Sequence, residues 1–181
     1  MAYNHGVRIL ENPTSLTAPI LGTAAFQVVV GVSPVNLAED PYKATNEVKL
    51  AYSFAEASAA VGFSNNLKDY TLNQSISATF KKFAVAPIAL INVLDPKKHK
   101  DAIPKKSYQV DALQATVDVE GVLLDTLVVE SGETTLQPDA DYVTGFDNDG
   151  YAVITLLEDG AGKDATSLSV SGDKIDPSKV T

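Results

Sequence analysis

The sequence predicts an α+β fold in three parts: an extended N-terminal arm over 1–20, an α/β layered domain over 21–106, and an acidic antiparallel β domain over 107–181 of sandwich or barrel-like form. Three observations predict it. Hydrophobic residues fall in near-continuous runs and helical stripes before residue 95, then alternate with period two after residue 106. Charge steps at the same place: residues 1–106 carry 11 basic and 8 acidic side chains, residues 107–181 carry 3 and 15, and the net goes from +3 to −12. The first twenty residues hold Pro13 and Pro19 and sustain no period.

In the arm, each proline fixes its own φ and biases the preceding residue toward extended backbone. Val7 and Ile9 stand opposite Arg8 and Leu10, the pattern of a short strand, and with Leu16 they are the arm's apolar anchors. Ala24–Val32 is almost wholly apolar and reads as a strand covered on both faces. Ser53-Phe54-Ala55-Glu56 is a capping box, in which serine and glutamate satisfy each other's free backbone donors. Phe54, Ala57 and Val61 then share a helix face, and Gly62 ends the helix. Thr71–Gln74 repeats the capping pattern, and Leu72, Ile76, Phe80 and Phe83 give a four-turn stripe that closes before Pro87. Ile88–Leu94 is a second buried strand. Strand, helices and strand in this order predict a parallel crossover. The stretch 97–106, with Pro104 and five lysines, reads as a linker.

In the last part, Ala115, Val117 and Val119 alternate with polar residues, as do Leu168 and Val170. Leu123–Glu130 lies between them. Tyr142–Phe146 and Tyr151–Leu157 are hairpin arms joined by Asp147-Asn148-Asp149-Gly150, which has strong turn chemistry.

The chain has no cysteine, which excludes disulfides, thiolate metal sites and cysteine nucleophiles. No apolar run reaches the ~18 residues of a membrane helix, and a net charge of −9 disfavours direct nucleic-acid binding. Asp139, Asp141, Asp147 and Asp149 lack the ligand spacing of a calcium loop and read as turn residues. Gly160-Ala161-Gly162-Lys163 mimics a dinucleotide fingerprint, but a strand pattern follows it where that motif needs a helix. Lys97, Lys98, His99, Lys100, Lys105 and Lys106 form a basic cluster without interleaved aromatics, read as a solvated surface or a contact with an acidic face of a neighbouring subunit. His5 and His99 have no carboxylate or metal-ligand context. Asn73-Gln74-Ser75 fits a glycosylation acceptor but falls inside the second helix. No catalytic residue, cofactor site or metal site is expected, and the residues alone describe a structural or interaction protein. A β-rich adhesion or receptor-binding module is the alternative, although such a module does not need the capped helices and buried strands of 24–94.

Several segments together resemble the tail sheath proteins of contractile phage tails and R-type bacteriocins, closest to those of Gram-positive phages and prophages. They are Tyr3–Thr14, Pro34–Leu37, Ala51–Ala57, Ile91–His99 and Gly121–Thr126. The resemblance implies a subunit that forms hexameric rings stacked helically around a tail tube, meets tube and baseplate proteins, and contracts to drive the tube through the host envelope. It implies assembly in the bacterial host cytoplasm into a virion tail or bacteriocin particle, without membrane insertion of the subunit. It also implies that the arm, with Val7 and Ile9 as its intersubunit residues, adds a strand to a neighbour's sheet. The first two parts would then belong to the sheath core, and the β part to a peripheral insertion domain. Sheath proteins of this kind continue beyond the point where this sequence stops, so the match is to an N-terminal portion.

Overall fold

The computed structural model describes residues 27–180. They form a mixed α+β architecture, mostly strands in three sheets, with two α-helices. The arm, with Val7 and Ile9, lies outside the described residues, as do His5 and Ala24–Phe26.

The first sheet joins β1 (Gln27–Gly31), β2 (Val48–Ala51) and β3 (Ile88–Asn92) in the order β1-β3-β2. β1 and β3 are parallel, as the crossover predicts, and β2 pairs antiparallel on the other side of β3. β2 has only four residues and a lysine among them, too short to show a period. Two helices, α1 (Phe54–Val61) and α2 (Thr71–Ile76), lie on one face. Val61, Leu72, Ile76, Ile88 and Leu90 form the core between helices and sheet, with Val29 packed against it.

The capping box at α1 is real with one change of partner. Ser53 Oγ accepts the Glu56 N–H at 3.2 Å, while the Glu56 carboxylate accepts from Tyr52 N at 2.8 Å. Gly62 stops the helix at φ +79°, and any Cβ there would lie 2.0 Å from the Pro34 carbonyl oxygen. The second helix departs from expectation. Thr71 does not cap it; Thr71 Oγ1 accepts from Val32 N at 3.1 Å and ties the helix start to the end of β1. α2 then widens into a π-helical segment, Ser77–Lys82. The extra residue per turn rotates the stripe away from the sheet, so Leu72 and Ile76 are buried, Phe80 half-buried and Phe83 exposed.

The β part has two antiparallel sheets. One is ordered β4-β10-β6-β7 and contains β4 (Lys100–Gln109), β6 (Val128–Ser131), β7 (Thr134–Thr135) and β10 (Ser167–Ile175). The other, β5-β9-β8, contains β5 (Gln114–Val117), β8 (Tyr142–Phe146) and β9 (Ala152–Leu156). Both contribute to one core, with Ala115, Val117, Val129, Ile154, Leu168 and Val170 at its centre. No sheet among the described residues closes into a barrel. The hairpin forms where the turn chemistry puts it. Asp147 Oδ1 accepts from the Asp149 and Tyr151 amides at 2.9 Å each, and Gly150 sits at φ +87°.

The linker reading of 97–106 is corrected. Lys100–Lys106 belong to β4, which runs across the join at residue 106 and pairs along its length with β10. Prolines and lysines there reflect an edge strand, where an unpaired backbone side tolerates proline and charge discourages foreign strands.

A buried polar knot fixes the switch between the layers. Ser33 follows β1 and Asn92 ends β3; both are fully buried. Asn92 Nδ2 donates to Ser33 Oγ at 2.7 Å, Ser33 Oγ donates to the Val61 carbonyl at 2.5 Å, and Asn92 Oδ1 accepts from Leu94 N at 3.0 Å. Replacing Asn92 by leucine strands these buried partners, so urea unfolding of Asn92→Leu is expected to show a loss of about 3 kcal/mol. A loss below about 1 kcal/mol would mean the knot is dispensable.

Candidate assembly surface

The described residues present three features that bear on function: sheet edges, an open sheet face, and a charged seam with an adjoining cleft. The edges differ in how they are defended. β4 carries Pro104, Lys105 and Lys106 and so resists pairing with another strand. β1, with the sequence Gln27-Val28-Val29-Val30-Gly31, has neither charge nor proline, as is true of the edge strands β5 and β8, and among the described residues nothing pairs with its outer side.

The open face belongs to the same sheet. Val29, Ile88 and Leu90 point to the helices, so alternation and register put Val28, Val30, Ala89, Ile91, Val48 and Leu50 on the other side. Among the described residues the expected cover on the second face of the first strand is not seen, although Ala89 at the centre of that face is buried. Val28, Val30, Val48 and Leu50 are 56, 60, 67 and 45% exposed. The sheet has its one helical layer and, among the described residues, no second layer.

The lysine run is taken up within the chain. Lys100 meets Asp173 at 2.5 Å, Lys106 meets Asp118 at 2.6 Å, Lys105 pairs with Glu130, and Lys179 returns to Asp101. The Lys106 pairing holds the Asp118 carboxyl below its ordinary range. Lys97 leans over the Tyr42 ring at 5.5 Å. The charge complementarity assigned to a contact between subunits is thus used to a large extent between strands of one subunit. His99 is a turn residue: its Nδ1 accepts from Asp95 N at 2.9 Å.

The four aspartates do not converge. Asp139 and Asp141 lie before β8 and Asp147 and Asp149 after it, so a five-residue strand, roughly 17 Å long, separates the pairs. Asp141 accepts from the Ala161 and Gln137 amides, which lower its pKa and pin the Gly160–Gly162 loop. That loop leads into β10 with no helix. Asn73 is fully buried and donates to the Ser64 carbonyl at 2.9 Å, so its side chain is inaccessible to a glycan. A cleft of about 630 Å³ opens between the hairpin tip and the α/β layer, lined among others by Asn36, Asn65, Tyr70, Glu120 and Asp149. Its carboxylates suit a neutral or cationic occupant.

Sequence reading missed the Ser33–Asn92 knot and the open face. A polar Asn92 within Ile88–Leu94 was the available signal for the knot; the face shows only once β2 is placed. The chain matches no family model, no curated protein and no solved structure.

One contact across the two parts gives a pH test. Tyr42 donates its phenol to Asp125 at 2.6 Å. Burial first, then the Asp125 hydrogen bond and charge, push the Tyr42 pKa up to about 12 from 10.0. A raised pKa means the folded state holds the proton more tightly. Its contribution is therefore complete below pH 10 and is lost as pH rises toward 12. Tyr42→Phe is expected to lower the urea midpoint slightly at pH 7 and to flatten its decline between pH 10 and 12. Parallel declines for both proteins would remove Tyr42 as the cause.

Proposed function

We propose that this chain is a contractile tail sheath subunit, of phage or R-type bacteriocin kind, which polymerises with copies of itself around a tail tube. The resemblance of its segments supports this reading. The structural observation behind it is the outer edge of β1, uncharged and unpaired among the described residues, because a long-lived monomer normally blunts such an edge and a polymer linked by strand addition uses it. In this reading the three sheets form a stiff body, and the arm residues Val7 and Ile9 pair with a neighbour's edge. Tube and baseplate proteins are the further partners. The work is mechanical, with no catalytic step and no cofactor, and the assembled particle forms in the host cytoplasm.

Linked arms suit contraction. Each subunit gives one arm and receives one, so a broken contact re-forms from a high local concentration and neighbours rotate without separating. Negative-stain microscopy of the full-length gene product tests this reading; rings, tubes or polysheaths are expected, and discrete particles at all concentrations would refute it. Deleting residues 2–18, or replacing both Val7 and Ile9 by aspartate, should leave the melting temperature within about 2 °C and abolish ordered tubes. Tubes of normal diameter from either variant would show that the arm is not the linker.

A further inference from the structure

We infer that the cleft between the hairpin tip and the α/β layer is a binding site for an arginine side chain presented by a partner protein. The inference is independent of the sheath reading, because neither the arm nor the β1 edge takes part. The cleft has a volume of about 630 Å³, and its walls are held from both sides. In the α/β layer, Gly62 lies so close to Pro34 that a Cβ would stand 2.0 Å from the carbonyl oxygen, and Asn73 Nδ2 donates to the Ser64 carbonyl at 2.9 Å. At the hairpin tip, Gly150 approaches Leu37, and Asp147 Oδ1 locks the turn through the Asp149 and Tyr151 amides. Walls fixed in this way form the site before a ligand arrives.

What the walls leave over is hydrogen-bond acceptors. Glu120, Asp147 and Asp149 line the cleft, no lysine, arginine or histidine does, and none of the three carboxylates joins an ion pair among the described residues. Carboxylates by themselves mark only a solvated rim. The independent observation is Asn36, which lines the same cleft, is 4% exposed, and has no hydrogen-bond partner for its Oδ1. The terminal torsion of asparagine is soft, so this oxygen can turn to a donor that enters the cleft. Tyr70 also lines it. Burial first, then the charges of Glu120, Asp69 and Asp176, raise the Tyr70 pKa, which marks negative potential at this wall. Phe63 and Phe146 add aromatic surface.

These groups select a ligand class. An anion meets no cation in the cleft. No cluster of carboxylate and imidazole groups among the described residues could hold a metal ion. A neutral sugar would displace water from three carboxylates without compensating their charge. A guanidinium does compensate it: it spreads one charge over five coplanar donors, pairs with carboxylates and stacks on aromatic rings. An ammonium is a point charge and meets fewer of these groups at once. The cleft is larger than one guanidinium and has room for the flanking backbone of a peptide.

The test uses the full chain at low salt. NMR line broadening of the arginine resonances gives the affinity of a blocked Gly-Arg-Gly peptide, and a dissociation constant of about 1 mM or below is expected. Glu120→Gln with Asp149→Asn should weaken binding by roughly tenfold or more. Glu158→Gln with Asp159→Asn makes the same change of net charge outside the cleft and should alter it by less than about twofold. Equal losses from the two pairs would reduce the effect to bulk charge and overturn the inference. A Gly-Lys-Gly peptide that binds as tightly, a neutral disaccharide that displaces the arginine peptide, or no binding up to about 10 mM would each overturn it as well. Methylguanidinium alone should bind at least roughly fivefold more weakly than the peptide; equal affinity would overturn the assignment to a partner protein.

Discussion

The Ser33–Asn92 knot is the constraint on which the rest of the molecule depends. It sits where β1 and β3 end together and where α1 closes, and it joins all three through two side chains. The main chain adds to it: Val93 N donates to the Gly31 carbonyl, and Asn46 N donates to the Asn92 carbonyl. A parallel pair has no tight turn to set its register, so something at the strand ends must do so. A buried amide and hydroxyl suit that task because a slip of one residue would leave each of them unpaired in an apolar interior.

From the knot, the chain turns into the joint between the two parts. Val35, Ala38, Tyr70 and Leu94 from the α/β layer pack with Leu123 and Ile175 from the β strands in one buried cluster. A backbone bond crosses the same joint, with Asp176 N donating to the His99 carbonyl. The charge step seen in the sequence has a matching structural meaning. Basic β4 lies beside β10, and its lysines find carboxylates on β6, on β10 and after β5. Exposed pairs of this kind add little cohesion, because water screens them. Their effect lies in fixing which strand lies beside which, and the apolar joint supplies the cohesion.

Much of this was legible in the sequence where a period was long enough to read. The parallel pairing of Gln27–Gly31 with Ile88–Asn92, the capped α1 and the Tyr142–Leu156 hairpin all follow from apolar spacing and turn residues. Three features were hidden for physical reasons. β4 resembles a linker because a defended edge strand uses the residues that loops use. β2 has four residues, fewer than the two periods that distinguish alternation from chance. The π-helical turn after Ile76 leaves no mark in composition, yet it moves Phe83 from the expected core stripe into solvent. Of the candidate interaction residues, Val7 and Ile9 lie outside the described residues, so the sequence alone speaks for them. The open face emerges only from a register that three separate segments create together.

The distribution of edge chemistry separates cohesion from connection. Lysine, proline and in-chain ion pairs close the β4 edge, and the Asp147–Gly150 turn and the Asp141 amide bonds lock the loops at either end of β8. These features close the β4 edge and hold the loops around β8. The first sheet is built the other way, with an apolar open face and an uncharged β1 edge on the strand that continues directly into the N-terminal residues. A packing layer and a neighbour's strand place different demands on such a sheet: the first needs an apolar face, the second needs free backbone donors and acceptors. β1 offers both, on perpendicular sides of one strand. Contacts with the two sides of β1 therefore need not compete.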